Sequence, residues 1–358
     1  MPGHWSQLMG GSQYQVQCLT NFLLEKQKFQ LFFLAKHFDQ SYSPNGYSLL
    51  RISKHNEHSL WGKISDKYKL FGLLKEIGPD VIYQRVASFY TGLCAIYAAE
   101  HKCKMIWHNS SDADLLPNKM SLSKSFLDRY INRKMILKGI CLASKIVVQT
   151  NQQNEYLKKF HRREADLVLP NFHPFPEEIA NKEGSVRVLW IANLKPLKQP
   201  ELFLELAKSL RSCTKNVRFQ LVGKLQGNTR WKSKIEAKLK NIPNIDYLGS
   251  KTQREVNSLL ASSHLLVNTS THEGFSNTFI QAWMRKVPVV SLNVNPDNVF
   301  TKEEIGIHSG SFKQLLNDVR LLIEDRALRE KMGNRACNYA CRVHSMQNAY
   351  KLMDLIEN

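Results

Sequence analysis

Three prolines fall within the seven residues Pro170-Asn171-Phe172-His173-Pro174-Phe175-Pro176. Each fixes φ and removes a backbone donor, so the stretch is neither helix nor strand and reads as a linker. On both sides of it short apolar runs alternate with longer amphipathic ones, the pattern of repeated strand–helix units. Strands joined in this way run parallel, because each crossover helix returns the chain to the same end of the sheet. The break and the two series predict an α/β protein of two parallel-sheet domains with helices on both faces. The first covers 1–170 and the second begins at 171. A length of 358 residues fits, being large for one hydrophobic core.

In the first series Gly10-Gly11 leads into a helix through Leu19, Leu23 and Leu24, followed by a strand at 31–34. Then come a helix over 63–77, a strand over 81–86, a helix over 89–101 and a strand over 104–108. A basic amphipathic stretch covers 123–142, and strands at 145–150 and 166–169 flank a helix over 152–160. No apolar strand precedes Gly10-Gly11, and only 6–9 is placed to substitute, so the first sheet is expected to lack or weaken a strand. The second series runs strand 186–191, loop 192–199, a helix from Pro200, strand 219–222 ending at Gly223, helix 230–240 and strand 245–248 ending at Gly249. Thr252-Gln253-Arg254-Glu255 is a capping box that opens the next helix. Strands at 264–269 and 287–292 follow, and 326–356 reads as helices.

The chemistry gathers at strand ends. Residues 264–269 form a buried strand, and 278–286 form a helix with Phe279, Ala282 and Trp283 on its packed side. The bend between them carries Glu273, Gly274 and Phe275 and offers Ser276 and Asn277 as N-cap residues. Where a parallel strand ends and a helix begins, free N–H groups converge and anionic or hydroxylated ligands bind. Glu273 is placed to accept from ligand hydroxyls there, with Gln281 inside the helix. A plain joint with a surface carboxylate would read the same way. His108 closes its strand and so faces the corresponding end of the first domain. Lys195 and Lys198 follow the first strand of the second domain, where two cations can meet a diphosphate.

Glu273-Gly-Phe-Ser-Asn-Thr-Phe-Ile-Gln281 resembles the donor-site motif of the family 4 (group 1) glycosyltransferases, two acidic residues separated by seven others. The resemblance implies a GT-B fold, two Rossmann-like doubly wound domains facing a cleft. The N-terminal domain (1–170) would bind the acceptor, 171–335 the nucleotide sugar, and 336–358 would cross back onto the N-terminal domain. It implies that Glu273 meets the transferred sugar and is catalytic, with His108 near that sugar. Gln281 stands where the family has a second acid on the ribose, Lys198 matches its phosphate-binding Lys, and Asn193 replaces its Arg, leaving Lys195 as a candidate second charge. Gly10 and Gly11 match the loop that approaches the donor phosphates. Gly223, Gly249, Gly274, Phe275, Ser276 and Asn277 complete the expected donor site. The activity implied is retaining, hexosyltransferase-like transfer from a nucleotide sugar to a saccharide or lipid-linked hydroxyl, in cell-surface polysaccharide or glycolipid synthesis. The nucleotide sugar is a substrate, and neither cofactor nor metal is expected. Asp112-Ala113-Asp114 has a metal-ligand spacing but sits in a loop of the other domain.

The formal charge of +19 is spread over both domains and favours anionic partners in general: nucleotide phosphates, acidic membranes or nucleic acid. The cations of the 123–142 stretch, Lys124, Arg129, Arg133, Lys134 and Lys138, are candidates to face an anionic membrane. A nucleic-acid-binding protein would interleave aromatics with cations on one face or carry a recognised module; neither is found, so no nucleic acid is expected. An epimerase on the same fold is the other alternative and would need paired acid and base groups around the sugar. Seven scattered cysteines argue for free thiols in a reducing compartment. With no signal peptide and no long apolar run, the expected location is the cytoplasm, peripheral at its membrane face.

Overall fold

The alternation becomes two parallel α/β units. The computed structural model describes residues 3–7, 10–53, 59–117, 126–176, 182–211 and 216–358. The chain divides into one compact unit of Met1–Phe172 with Met346–Asn358, and another of His173–Ser345. The division falls inside the proline segment. Residues 336–345, which the sequence assigns to the returning segment, stay in the second unit; the return begins at Met346.

The first unit runs α1 (Gly11–Lys26), β1 (Phe32–Ala35), β2 (Ser48–Arg51), α2 (Leu60–Ile77), β3 (Val81–Arg85), α3 (Phe89–His101), β4 (Lys104–His108), α4 (Phe126–Leu142), β5 (Lys145–Val148), α5 (Asn151–His161) and β6 (Leu167–Val168). Strands β3-β4-β5-β6 form one parallel sheet, and β1 and β2 form a separate parallel pair. Beside β1 stands an isolated bridge, Gly3 to His37, with His4 N–H donating to the His37 carbonyl at 2.8 Å. The contact is thus made at Gly3 and His4, not over 6–9 as expected; residues 8 and 9 lie outside the described residues. Side chains join what hydrogen bonds do not: Leu34 and Ile52 share one core with Ile82 and Met105, and Leu31, Val81 and Tyr83 all pack against a second. Helices α3 and α4 cross closely, because a Cβ on Gly92 would overlap the Met135 carbonyl and one on Gly139 would strike Thr91.

The second unit runs β7 (Val186–Ile191), α6 (Pro200–Leu210), β8 (Val217–Val222), α7 (Thr229–Lys240), β9 (Ile245–Gly249), α8 (Gln253–Ala261), β10 (Leu265–Asn268), α9 (Asn277–Trp283), β11 (Val289–Ser291), α10 (Val299–Glu303), β12 (Gly306–His308), α11 (Phe312–Glu324) and α12 (Arg326–Val343). Its six parallel strands are ordered β12-β11-β10-β7-β8-β9. From β7 the chain winds outward through β8 and β9, then restarts at β10 on the other side. The switch point therefore lies between β7 and β10, where open α/β sheets bind ligands at their carboxyl ends. Helix α9 stops at Trp283, short of the expected 286, as Lys286 turns left-handed two residues before Pro288. Helix α13 (Gln347–Glu357) packs with the first unit: the Tyr350 ring meets Phe22 at 4.7 Å, and Lys104 Nζ donates to the Ile356 carbonyl at 2.9 Å.

Strand β10 is hydrogen-bonded on both sides, to β7 and β11, whereas β1 pairs along its length with β2 alone. Amides of Phe32–Ala35 are expected to exchange with solvent at least about tenfold faster than those of Leu265–Asn268, because fewer bonds must break to open them. Equal protection in a hydrogen-exchange experiment would show that the split sheet opens no more easily than the continuous one.

Candidate functional site

Two loops leave the carboxyl ends at the switch point, one after β7 and one after β10. They are stitched together by Thr269 and Thr271. Trp190 Nε1, in β7, donates to Thr269 Oγ1 at 2.9 Å, and that hydroxyl lies 2.8 Å and 2.9 Å from the carbonyls of Lys198 and Gln199. The Thr271 N–H donates to the Leu197 carbonyl at 3.0 Å. From the other side the β7 loop is held by Leu194, which bridges to Leu225, and by Gly223, where a Cβ would overlap the Ala192 carbonyl. Gly223 has φ +143°, so no other residue fits there without moving the loop.

This stitching sets Lys198 beside Glu273. Their Nζ–Oε1 distance is 3.0 Å, with the side chains 22% and 14% exposed. Glu273 Oε1 also accepts from Asn268 Nδ2 at 2.9 Å and Ser270 Oγ at 2.6 Å. All three partners meet Oε1, and Oε2 makes no hydrogen bond among the described residues. Burial is the largest influence on this carboxyl and pushes its pKa up. The Lys198 charge and the bonds from Ser270, Asn268 and Lys198 more than offset it, holding Glu273 below the usual carboxylate range. The group is an anion held by one oxygen with the other free to accept.

In the first unit His108 ends β4 fully buried. Its Nδ1 lies 2.8 Å from the Tyr83 hydroxyl and 3.2 Å from Arg85 Nη1. A guanidinium only donates, so Nδ1 is the acceptor and the ring proton belongs on Nε2; the 3.4 Å approach of Nη1 to Nε2 is too long to reverse that. Burial, and after it the Arg85 charge, pushes the His108 pKa well below its ordinary value. Arg85 Nη2 donates to Asn171 Oδ1 at 2.5 Å. Asn109 follows His108, and neither polar atom of its buried amide has a partner among the described residues.

Residues 172–339, nearly the whole second unit, match the family model of the glycosyl transferases group 1. The second unit belongs to the group 1 glycosyl transferases. A Xenopus tropicalis protein named glycosyltransferase 1 domain-containing protein 1 is 22% identical over 171 residues, 47% of this chain and 49% of that protein. The match thus spans about half the length of the relative. Among solved structures, sucrose-phosphate synthase from Thermosynechococcus elongatus superposes with a TM-score of 0.78 at 14% identity, over 100% of this chain and 94% of that one. WaaG, a glycosyltransferase involved in lipopolysaccharide biosynthesis, gives 0.77 at 17% identity over 99% and 98%. HepE of Anabaena, solved with UDP and glucose, gives 0.76 at 14% over 99% and 97%. The fold is GT-B, with two Rossmann-like domains.

Within the group 1 domain the structure brings Glu273 and Lys198 together. Lys195 is exposed and Asn193 half-buried in the same loop. Phe275 is core, its ring 4.7 Å from His344 and 5.9 Å from Trp283. Ser276 is the N-cap of α9 without a side-chain capping bond, and Asn277 Oδ1 lies 3.0 Å from His173 Nε2. Gly274 and Gln281 are buried. Gly249 ends the edge strand β9, two strands away from β7, and makes a left-handed turn there. In the other unit Gly10 caps α1 and Gly11 begins it. Asp112 accepts from Gln153 Nε2, Asp114 from the Ala87 N–H, and the described residues hold no His, Cys, Asp and Glu cluster suited to a metal. Sequence reasoning missed Trp190, Asn268, Thr269 and Ser270 in the group 1 domain, and Tyr83 and Arg85 beside His108. A usable signal was present: polar residues close strands that are otherwise apolar, and parallel strands end on the same side.

Four buried histidines are neutral in the folded chain. Burial lowers His4 to about 4, His173 to about 3 and His264 to about 4, and His108 lies well below its usual value. Above about pH 6.5 both folded and unfolded chains hold them neutral. Below it only the unfolded chain takes up the protons, so stability is lost as pH falls toward 4. Calorimetry is expected to show a melting temperature that is level above about pH 7 and drops steeply between about 6.5 and 4. A flat profile there would mean that these rings are not buried neutral.

Proposed function

We propose that the chain is a retaining glycosyltransferase that moves a sugar from a nucleotide sugar to a hydroxyl of a saccharide or lipid-linked acceptor. The observation that carries this is the Lys198–Glu273 pair at the switch point between β7 and β10. Lys198 offers a fixed cation to the diphosphate, and Glu273 Oε2 accepts from a hydroxyl of the sugar. As the bond from the anomeric carbon to phosphate lengthens, positive charge grows on the sugar and negative charge on the leaving diphosphate. A carboxylate and an ammonium already oriented 3.0 Å apart stabilise both without reorganising. The departing phosphate oxygen takes the proton of the acceptor hydroxyl. Lys195, exposed in the same loop, adds a second cation, and this charge neutralisation asks for no metal. The similarity to HepE, solved with UDP-glucose, supports a nucleotide sugar as donor, and that to WaaG supports a place in cell-surface polysaccharide or glycolipid synthesis.

A thermal-shift screen of nucleotide sugars identifies the donor, since a ligand that binds only the folded chain raises its melting temperature. With that donor, Glu273→Gln is expected to retain the fold, because Asn268 and Ser270 can still donate to the amide oxygen. Turnover should fall by about a hundredfold or more as the charge on the reacting sugar is lost. Near-normal turnover would remove Glu273 from the chemistry. Lys198→Ala is expected to weaken binding of the bare nucleoside diphosphate by about tenfold or more, along with turnover. A loss confined to acceptor affinity would place Lys198 away from the phosphates.

A further inference from the structure

Helix α2 is inside out over its first turns. Lys63 and Asp66 face the interior, 6% and 0% exposed, while Trp61, Ile64 and Tyr68 share one outward stripe at i, i+3 and i+7. Trp61 is 82% exposed and Tyr68 71%. The start of α4 repeats the inversion: Asp128 is buried, Phe126 is 78% exposed, and Leu127 and Tyr130 point outward with it. The two helices meet through their polar sides. Lys63 Nζ pairs with Asp128 Oδ1 at 2.9 Å and donates to Asn132 Oδ1 at 2.9 Å. Behind α2, Asp66 is held by the equally buried Lys36 at 2.7 Å, by Tyr90 at 2.6 Å and by Ser53.

Folding in water alone works against this arrangement. Desolvating the Lys63–Asp128 and Lys36–Asp66 pairs costs about as much as their attraction returns. Six large apolar side chains, Trp61, Ile64, Tyr68, Phe126, Leu127 and Tyr130, are left at the surface and forgo part of the gain of burial. Such a cluster marks a surface that meets something apolar.

The rim identifies that partner. Lys67, Lys69, Arg129, Arg133 and Lys134 are exposed on the same helices, and Lys134 Nζ lies 4.7 Å over the Tyr130 ring. The acids Asp66 and Asp128 are turned inward, so Glu76 in the last turn of α2 is the only exposed carboxylate of the pair. Tryptophan and tyrosine favour the boundary between water and lipid, and exposed cations favour anionic headgroups. We propose that the first turns of α2 and α4 form a docking surface for an anionic lipid bilayer. Trp61, Ile64, Phe126 and Leu127 enter the headgroup layer, Tyr68 and Tyr130 lie at its boundary, and the cations meet lipid phosphates. This surface centres on the aromatic ends of two helices and not on the basic side of α4 as a whole; Lys124 lies outside the described residues. Lipid binding is read without catalysis, so the surface stands or falls separately from the transferase reading.

The test uses the full chain with vesicles of phosphatidylcholine, with and without phosphatidylglycerol. Sedimentation with the anionic vesicles is expected, weakening as salt rises. Tryptophan emission should shift to the blue and be quenched by brominated lipid, and Trp61→Phe should abolish most of both effects. Trp61→Ser with Tyr68→Ser and Phe126→Ser should lower vesicle partitioning by about tenfold or more, with circular dichroism unchanged. Arg129→Glu with Arg133→Glu and Lys134→Glu should do the same on anionic vesicles only. Absence of vesicle binding, binding that survives the aromatic substitutions, or quenching that persists in Trp61→Phe would each overturn the proposal. So would self-association in the ultracentrifuge that the aromatic substitutions abolish, since the surface would then meet a second copy.

Discussion

The pairing of β7 with β10 governs the site. Val188 lies opposite Leu265 and Leu189 opposite Leu266, and from that register Trp190 reaches Thr269 and Thr269 reaches the Lys198 and Gln199 carbonyls. A one-residue slip would turn every side chain of β10 to the other face of the sheet. Asn268 and Thr269 would exchange directions, and Glu273 would lose its anchor along with the loop that carries Lys198. The candidate chemistry therefore depends on an apolar contact between two buried strands more directly than on the charges themselves.

That dependence explains what was legible in the sequence. Val186–Ile191, Phe89–His101 and Lys104–His108 agree between sequence and structure to the residue, because long apolar runs and clear punctuation leave one solution. Strand β2 is not legible, having only Leu49 and Leu50 as apolar residues between Ser48 and Arg51. The sequence reading places no element over 293–325, although Leu315, Val319 and Leu322 of α11 recur at helical spacing and are buried. It starts α2 at 63 and not at 60, because the apolar residues there face water and break the expected period. Glu273, Lys198 and His108 were visible as strand-end residues. Their supports, Asn268, Thr269, Trp190, Tyr83 and Arg85, were hidden, since what each touches is set by strand order, which no single segment records.

The two units solve different problems with the same repeat. In the group 1 domain six paired strands give a continuous platform, and the polar groups at its switch point are tightly interlinked. In the first unit the sheet is divided, and side-chain packing across the division replaces the backbone ladder. There the polar groups are pushed into the interior, as the Lys36–Asp66 and Lys63–Asp128 pairs and the Arg85–His108 contact show. Interiors that contain charge rely on complete pairing, so this unit tolerates fewer substitutions at polar positions than its exposed surface suggests.

The return of α13 makes the first unit depend on residues from the opposite end of the chain. Ala349, Leu352, Met353 and Ile356 share a core with Cys18, Leu19, Phe22 and Leu23, residues separated from them by more than three hundred positions in the chain. The second unit is continuous in sequence, whereas the first closes over the apolar side of α1 only when α13 is present. A chain cut short before residue 346 would thus harm the end of the protein that is translated earliest.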